Sequence, residues 1–196
     1  MSNEWDEFAG QWDSNSDVIR YSEEAFRSLE GVVSLDGSSI LDFGAGTGLL
    51  TEKMSSRAGQ IVAMDPSSKM IDVLKRKNLA NVKTIENTLS EALIAKNDLL
   101  HSKFDLIVAS SVCGFVPDYT ATLSLLKSLL IPGGLFVQWD WLATEENPDA
   151  GMSEEKITSG FGSVGLKLMS LSQPFSLESS DGNLAVLMGV GKRPRQ

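Results

Sequence analysis

Apolar positions along the chain fall into short continuous runs separated by segments of helical spacing. Ser39-Ile40-Leu41-Asp42-Phe43 and Gln60-Ile61-Val62-Ala63-Met64 read as buried strands, and Val82 to Glu86, Phe104 to Ser110 and Leu135 to Trp139 as further strands. The intervening stretches predict helices from Leu49 to Arg57, from Leu89 to Leu100 and from Thr120 to Leu130. Another helix carries Met70, Ile71, Val73 and Leu74 behind Ser67 as its N-cap. Pro132-Gly133-Gly134 marks the join between the last of these helices and its strand. Ahead of the first strand, Trp5, Phe8, Ala9 and Trp12, then Tyr21, Ala25, Phe26 and Leu29, predict two short amphipathic helices parted at Asp13-Ser14-Asn15-Ser16-Asp17. Near the end, a helix from Ser153 to Phe161 leads to apolar runs at Leu166–Leu171 and Leu184–Val190. The turn Ser179-Ser180-Asp181-Gly182 joins these runs as a hairpin.

Strand, helix, strand in repetition is the rhythm of βαβ units, so the expected fold class is α/β, a doubly wound sheet with helices on both faces. No internal repeat or linker breaks the pattern. Residues 1–196 are therefore expected to form one domain, with residues 1–30 as a helical segment able to cover a site.

Charge narrows the function. With 26 acidic against 17 basic side chains the net charge is −9, which argues against a nucleic-acid partner, whose phosphates call for clustered Lys and Arg. Lys75-Arg76-Lys77 reads as a solvated helix face and Lys192-Arg193-Pro194-Arg195 as a frayed end. One Cys and one His supply too few ligands for a zinc site and no partner for a disulfide, so no metal is expected. The acidic N-terminal residues do not resemble a secretory leader, and no apolar run approaches the roughly 18 residues of a membrane span. A cytoplasmic protein without a membrane partner is expected.

The strongest chemical signal is Asp42-Phe43-Gly44-Ala45-Gly46-Thr47-Gly48, set where a buried strand turns into a helix. Glycines there permit tight turning and close approach of a ligand to the main chain, beside free N–H groups of the helix start. The dinucleotide fingerprint G-x-G-x-x-G, counted from Gly44, would need a third glycine where Leu49 stands. A nicotinamide-dependent oxidoreductase is thereby the weaker alternative. His101 precedes the fourth strand, whereas ligands of open α/β sheets lie at the strands' carboxyl ends. Cys113 reads as a small packing residue.

Ile40 to Gly48 resembles the first motif of class I S-adenosylmethionine-dependent methyltransferases. Asp65 matches the acid that ends that family's second strand. Phe104 to Ser110 is similar to its fourth strand, and Leu130-Ile131-Pro132-Gly133-Gly134 to the loop before its fifth. The resemblance spans about Trp5 to Lys192 and is nearest to the small-molecule enzymes of quinone biosynthesis. It implies a seven-stranded, mostly parallel sheet with one antiparallel strand from the C-terminal hairpin, and S-adenosylmethionine as cofactor. It further implies Asp42, Gly44, Ala45, Gly46 and Gly48 along the methionine part, and Asp65 on both ribose hydroxyls. Pro66 and Met70 would flank adenine, while Ser110 and Ser111 would lie beside the methionine group. Asn87, Thr88 and Leu89 stand where the family has an acidic residue and an alanine reading adenine. A non-catalytic, partner-binding relative is the alternative that this departure suggests.

Methyl transfer needs in-line orientation and exclusion of water more than a covalent enzyme group. The expected partner is a small-molecule acceptor, because the segment after the fourth strand lacks the Asn/Asp-Pro-Pro-aromatic motif that resembling enzymes use on base or glutamine nitrogens. Trp12, Tyr21, Phe115 and Trp139 are candidates for its pocket, with Trp141 beside them. Asp140 is the candidate base, its alternative being a solvated strand-end carboxylate.

Overall fold

The computed structural model describes residues 3–144, 151–179 and 182–195. Seven strands form one sheet: β1 (Ser39–Phe43), β2 (Gln60–Asp65), β3 (Val82–Glu86), β4 (Phe104–Ser110), β5 (Leu130–Trp141), β6 (Lys167–Ser179) and β7 (Gly182–Lys192). Their order is β3-β2-β1-β4-β5-β7-β6. All pairs among β1 to β5 are parallel, and β7 runs antiparallel to both β5 and β6. β7 is thus the one reversed strand, as expected. Strand order changes direction between β1 and β4, which opens a crevice at their carboxyl ends.

Side-chain alternation along the strands divides the core between two faces. Leu41, Phe43, Ile107 and Phe136 pack with α6 (Tyr119–Leu129) and α7 (Glu154–Val164). Ile40, Leu106, Val108 and Val137 pack with α2 (Ser16–Glu30) and α3 (Leu49–Ser55). The remaining helices are α1 (Asn3–Asp6), α4 (Ser68–Arg76) and α5 (Glu91–Lys96). Ser67 caps α4, its hydroxyl accepting from the Met70 N–H at 3.2 Å.

The differences from the sequence reading have local causes. The first predicted helix shrinks to the single turn of α1, followed by a 3-10 turn at Trp12–Ser14. Asn15 then caps α2 by accepting from the Asp17 N–H at 2.9 Å. The stretch predicted as a helix from Leu89 to Leu100 breaks at Asn97, whose side chain caps a separate 3-10 turn at Asp98–Leu100. β5 starts five residues early and carries Pro132 through a register shift against β4, a place where a strand tolerates proline. The central residues of the predicted hairpin turn, Ser180 and Asp181, lie outside the described residues.

Two basic runs also depart from expectation. The C-terminal run is tied down: the Arg193 guanidinium donates to the carbonyls of Lys127 and Leu130, and its backbone exchanges hydrogen bonds with Gly133 and Gly134. It adds donors to carbonyls at the end of α6, where intrahelical partners run out. In the other run Lys75 and Arg76 are exposed, as expected, while Lys77 is 12% exposed and bridges Asp13 and Glu52. No helix among the described residues is long and apolar enough to cross a membrane.

Candidate active site

Over the carboxyl ends of β1, β2, β4 and β5 lies a cavity of about 320 Å³. Its floor is the turn from β1 into α3. Gly44, Gly46 and Gly48 there have φ of +74°, +55° and +79°, a region that L side chains enter at a cost. A Cβ on Gly44 would stand 2.5 Å from Val112 Cγ2, whereas one on Gly46 would meet no protein atom within 4 Å. The space over Gly46 is the cavity itself.

Two buried carboxylates brace this turn. Asp65, at the end of β2, accepts from the Gly46 N–H at 2.9 Å and from the Ser67 N–H at 2.8 Å. Burial raises its pKa, and those two N–H groups pull it partly back. Asp42 is 1% exposed and accepts from the Thr51 hydroxyl at 2.5 Å. Burial pushes its pKa up to about 7; Thr51 opposes the shift and the charge of Asp65 adds to it. Asp17, Asp42 and Asp65 line the cavity, and none of the described lining residues is Lys, Arg or His. A ligand bearing positive charge fits such walls.

Pro66 and Met70 form the wall beyond Asp65; Ser110, Ser111, Val112 and Phe115 form the one beyond β4. The chain's N-terminal segment is the roof. Trp5 and Trp12 face the cavity, and Trp5 meets Phe115 edge-on at 5.3 Å between ring centres. Two further carboxylates fasten this segment. Asp13 accepts from the Thr47 hydroxyl and pairs with Lys77 at 2.9 Å. Asp6 accepts from the Ser67 hydroxyl at 2.5 Å and from the Lys69 N–H at 3.4 Å.

Of the residues singled out in the sequence, Asp42, Gly44, Ala45, Gly46, Asp65, Pro66, Met70, Ser110, Ser111, Trp12, Tyr21 and Phe115 meet at this cavity. Gly48 does not line it but begins α3 beneath it. Trp139 requires correction: it is fully buried under α2, its indole N–H donating to the Ser28 hydroxyl at 2.9 Å. Trp141, two residues on and hence on the same face but nearer the strand's end, takes the place at the cavity. Asn87, Thr88 and Leu89 are outside the wall. Asn87 and Thr88 are exposed, with the Asn87 side chain accepting from the Thr88 N–H at 2.8 Å, and Leu89 packs on the core.

Asp140 is neither solvated nor at the cavity. It is 2% exposed and sits behind the loop that follows β4, accepting from the Gly114 N–H at 3.0 Å and from the Gln138 amide at 2.8 Å. Gln138 in turn accepts from the Tyr119 hydroxyl at 2.5 Å. Burial pushes the Asp140 pKa up to about 7 against the pull of these donors. His101 is exposed and away from the cavity. Lining residues that sequence reasoning missed are Asp17, Val18, Ser22, Thr47, Leu49, Leu50 and Val112. The i, i+4 recurrence of Asp17–Tyr21 and Val18–Ser22 behind the Asn15 cap was the available signal for the α2 members.

Comparison with known proteins agrees with this geometry. A family described as "Methyltransferase domain" matches residues 18–159. A ubiquinone biosynthesis O-methyltransferase of Cereibacter sphaeroides is 33% identical over 113 residues, covering 57% of this chain and 44% of that protein. The match therefore spans less than half of the relative's length. Among solved structures, a SAM dependent methyltransferase from Aquifex aeolicus superposes with a TM-score of 0.68 at 18% identity, covering 85% of this chain and 88% of the other. The N-methyltransferase NodS from Bradyrhizobium japonicum, in complex with S-adenosyl-l-homocysteine, gives 0.67 at 19%, covering 94% and 91%. At such identities the structures share the fold. Glycine turn, strand-end acid, sheet order and family match all coincide, and the chain belongs to the class I S-adenosylmethionine-dependent methyltransferases.

Proposed function

We propose that this protein methylates a small, flat, uncharged acceptor such as a phenol. One observation carries the reading: a single cavity is lined both by the carboxylates Asp42 and Asp65 at the glycine turn and by the aromatic rings of Trp5, Trp12, Trp141 and Phe115. The relative from Cereibacter sphaeroides, an O-methyltransferase by name, supports a hydroxyl acceptor. Bound S-adenosylmethionine supplies an electrophilic methyl group on a sulfonium. In this reading Asp65 accepts from the two ribose hydroxyls, with Pro66 and Met70 beside the adenine. The Gly44–Gly48 turn and Asp42 receive the methionine part, with Ser110 and Ser111 alongside. Asn87, Thr88 and Leu89 have no part in this frame. The aromatic roof excludes water and holds the acceptor plane, so that orientation supplies much of the rate. Asp140 acts at one remove, as the positioning residue that fixes the loop carrying Ser111 and Phe115.

Calorimetric titration with S-adenosylhomocysteine tests the reading, one site per chain being the expected result. Asp65→Ala should weaken that binding by about 1.5–3 kcal/mol, the scale of charge-assisted hydrogen bonds. An unchanged affinity removes the ribose role.

The titration of Asp42 adds a signature in pH. An ammonium group beside it favours the charged carboxylate, so binding below pH 7 must displace a proton from an acid whose pKa is about 7. Affinity should therefore rise about tenfold from pH 6 to pH 8 and then level off. Asp42→Asn should flatten the rise; a slope that survives the substitution assigns the proton elsewhere.

A further inference from the structure

Helix α2 turns Asp17, Val18, Tyr21 and Ser22 into the cavity. Asp17 and Tyr21 are one helical turn apart on the same face, where side chains are neighbours. Neither has a task in the cofactor frame described above. The Tyr21 hydroxyl is the one buried side-chain polar atom among the described residues that has no hydrogen-bond partner of normal geometry, in a residue only 7% exposed. Leaving such a group unpaired costs about 1–3 kcal/mol, a cost that a ligand atom can relieve. The ring is held in place by Trp141 at 5.1 Å and by the edge-on contact with Phe175 at 5.3 Å.

The position of Tyr21 selects which ligand it meets. Its polar neighbours are Ser110 and Ser111 at the end of β4, and Trp141 at the end of β5 closes over its ring. Asp65 and the nucleoside wall lie on the other side of β1. Tyr21 thus stands where the methionine part, beside Ser110 and Ser111, gives way to the aromatic wall at Trp141. Burial and the charge of Asp140 keep its phenol protonated, so it can hold a nucleophile by hydrogen bonding but cannot deprotonate one. The Asp17 carboxylate is exposed, has no ion-pair or hydrogen-bond partner among the described residues and lies at the rim of the same cavity.

We propose that Asp17 and Tyr21 form the acceptor-activating pair: the Tyr21 hydroxyl hydrogen-bonds the acceptor's nucleophilic atom and Asp17 takes its proton. This rests on the methyl-transfer reading. The acceptor oxygen gives its proton to an Asp17 carboxylate oxygen and uses a lone pair to take the methyl carbon. The electron pair of the broken S–CH3 bond stays on sulfur, which becomes a neutral thioether, and Asp17 returns the proton to water. With a carboxylate at this end and no cation on the described walls, an acceptor carrying a carboxylate of its own is repelled.

The test uses the full chain saturated with S-adenosylhomocysteine and titrated with 4-methylcatechol or with its charged counterpart, 3,4-dihydroxybenzoate. The neutral catechol should bind about tenfold tighter or more, and Tyr21→Phe should weaken it by about fivefold to twentyfold, the scale of one hydrogen bond. S-adenosylhomocysteine affinity should stay within about twofold, since no cofactor contact is removed. In methyl transfer from S-adenosylmethionine, followed by mass spectrometry, Asp17→Asn should lower kcat about 100-fold with little change in KM. Asp17→Glu should restore part of the loss. A Tyr21→Phe variant that loses S-adenosylhomocysteine affinity assigns the hydroxyl to the cofactor and overturns the pair. So do equal affinities for the two catechols, no catechol binding, or full activity in Asp17→Asn. Failure of the parent chain to bind S-adenosylhomocysteine instead overturns the methyl-transfer reading itself.

Discussion

Gly48→Ala should destabilise the fold by about 2–5 kcal/mol, the sum of a left-handed backbone penalty and an overpacked core. The residue begins α3 with φ of +79°, and an added Cβ would lie 2.2 Å from Leu74 Cδ1 and 3.1 Å from its Cγ. Leu74 is itself 2% exposed and packs with Ala63 and Ile71, so it has no solvent to retreat into. Gly46→Ala is the informative contrast. It has the same handedness of backbone but no protein atom within 4 Å of the new methyl group, so only the conformational cost of about 1–2 kcal/mol applies. The methyl group would instead occupy ligand space. Urea unfolding should separate the two variants in stability, while titration with S-adenosylhomocysteine should show the larger loss of affinity in folded Gly46→Ala. A Gly48→Ala protein within about 1 kcal/mol of the parent would show that the core around Leu74 can yield.

Asp140→Ala should cost about 2–4 kcal/mol at pH 5, because the Gly114 N–H and the Gln138 amide lose their acceptor in a buried setting. The pH dependence identifies the carboxyl group. Its pKa is about 7 in the folded chain against about 3.9 when unfolded. Between those values the native state holds a proton that the unfolded chain has released. The group's contribution is therefore fully present below about pH 4 and is lost as pH rises through 7. From pH 5 to pH 8 that loss is at most about 2–3 kcal/mol. Asp42, raised for the same reason to about 7, adds a second loss of the same sign. Asp140→Asn should retain the Asp42 share alone, giving a shallower fall in the urea midpoint over this range. A fall as steep as that of the parent would remove Asp140 from the titrating pair.

What the sequence disclosed follows from how local each signal is. The strands β1 and β4 match their apolar runs residue for residue, because burial on both faces leaves a near-continuous pattern that needs no knowledge of neighbours; β3 also matches, although only Ile85 in it is buried. Asp65 and the three glycines were legible for a similar reason, their roles being set by one strand end and one turn. Trp139 was misplaced because strand periodicity gives the face and not the depth. Trp139 and Trp141 share a face and both meet α2, Trp139 at Ser28 and Trp141 at Tyr21, so position along the strand decides which of them reaches the cavity. Asp17 escaped notice since an acid in a helix's first turn already has an ordinary explanation in the helix dipole. Asp140 looked like a surface acid because its partners come from Gly114 and Gln138, one of them 26 residues away; nothing local marks a buried carboxyl group.

The roof of the cavity bears on how the protein is handled as well as on what it does. Residues 3–15 are held over the ligand by Asp6 and Asp13, one pairing with a hydroxyl and a backbone N–H of the α4 end, the other with Thr47 and Lys77. Anything joined to the chain ahead of that segment is joined to the entrance of the site. A bulky fusion there would compete with two partly exposed carboxylate contacts that salt also weakens, and its first effect would be on ligand exchange, leaving the fold untouched. A fusion on the side of the C-terminal strands, where Arg193 ties the chain to the end of α6 at the far side of the sheet, leaves the entrance as the sequence made it.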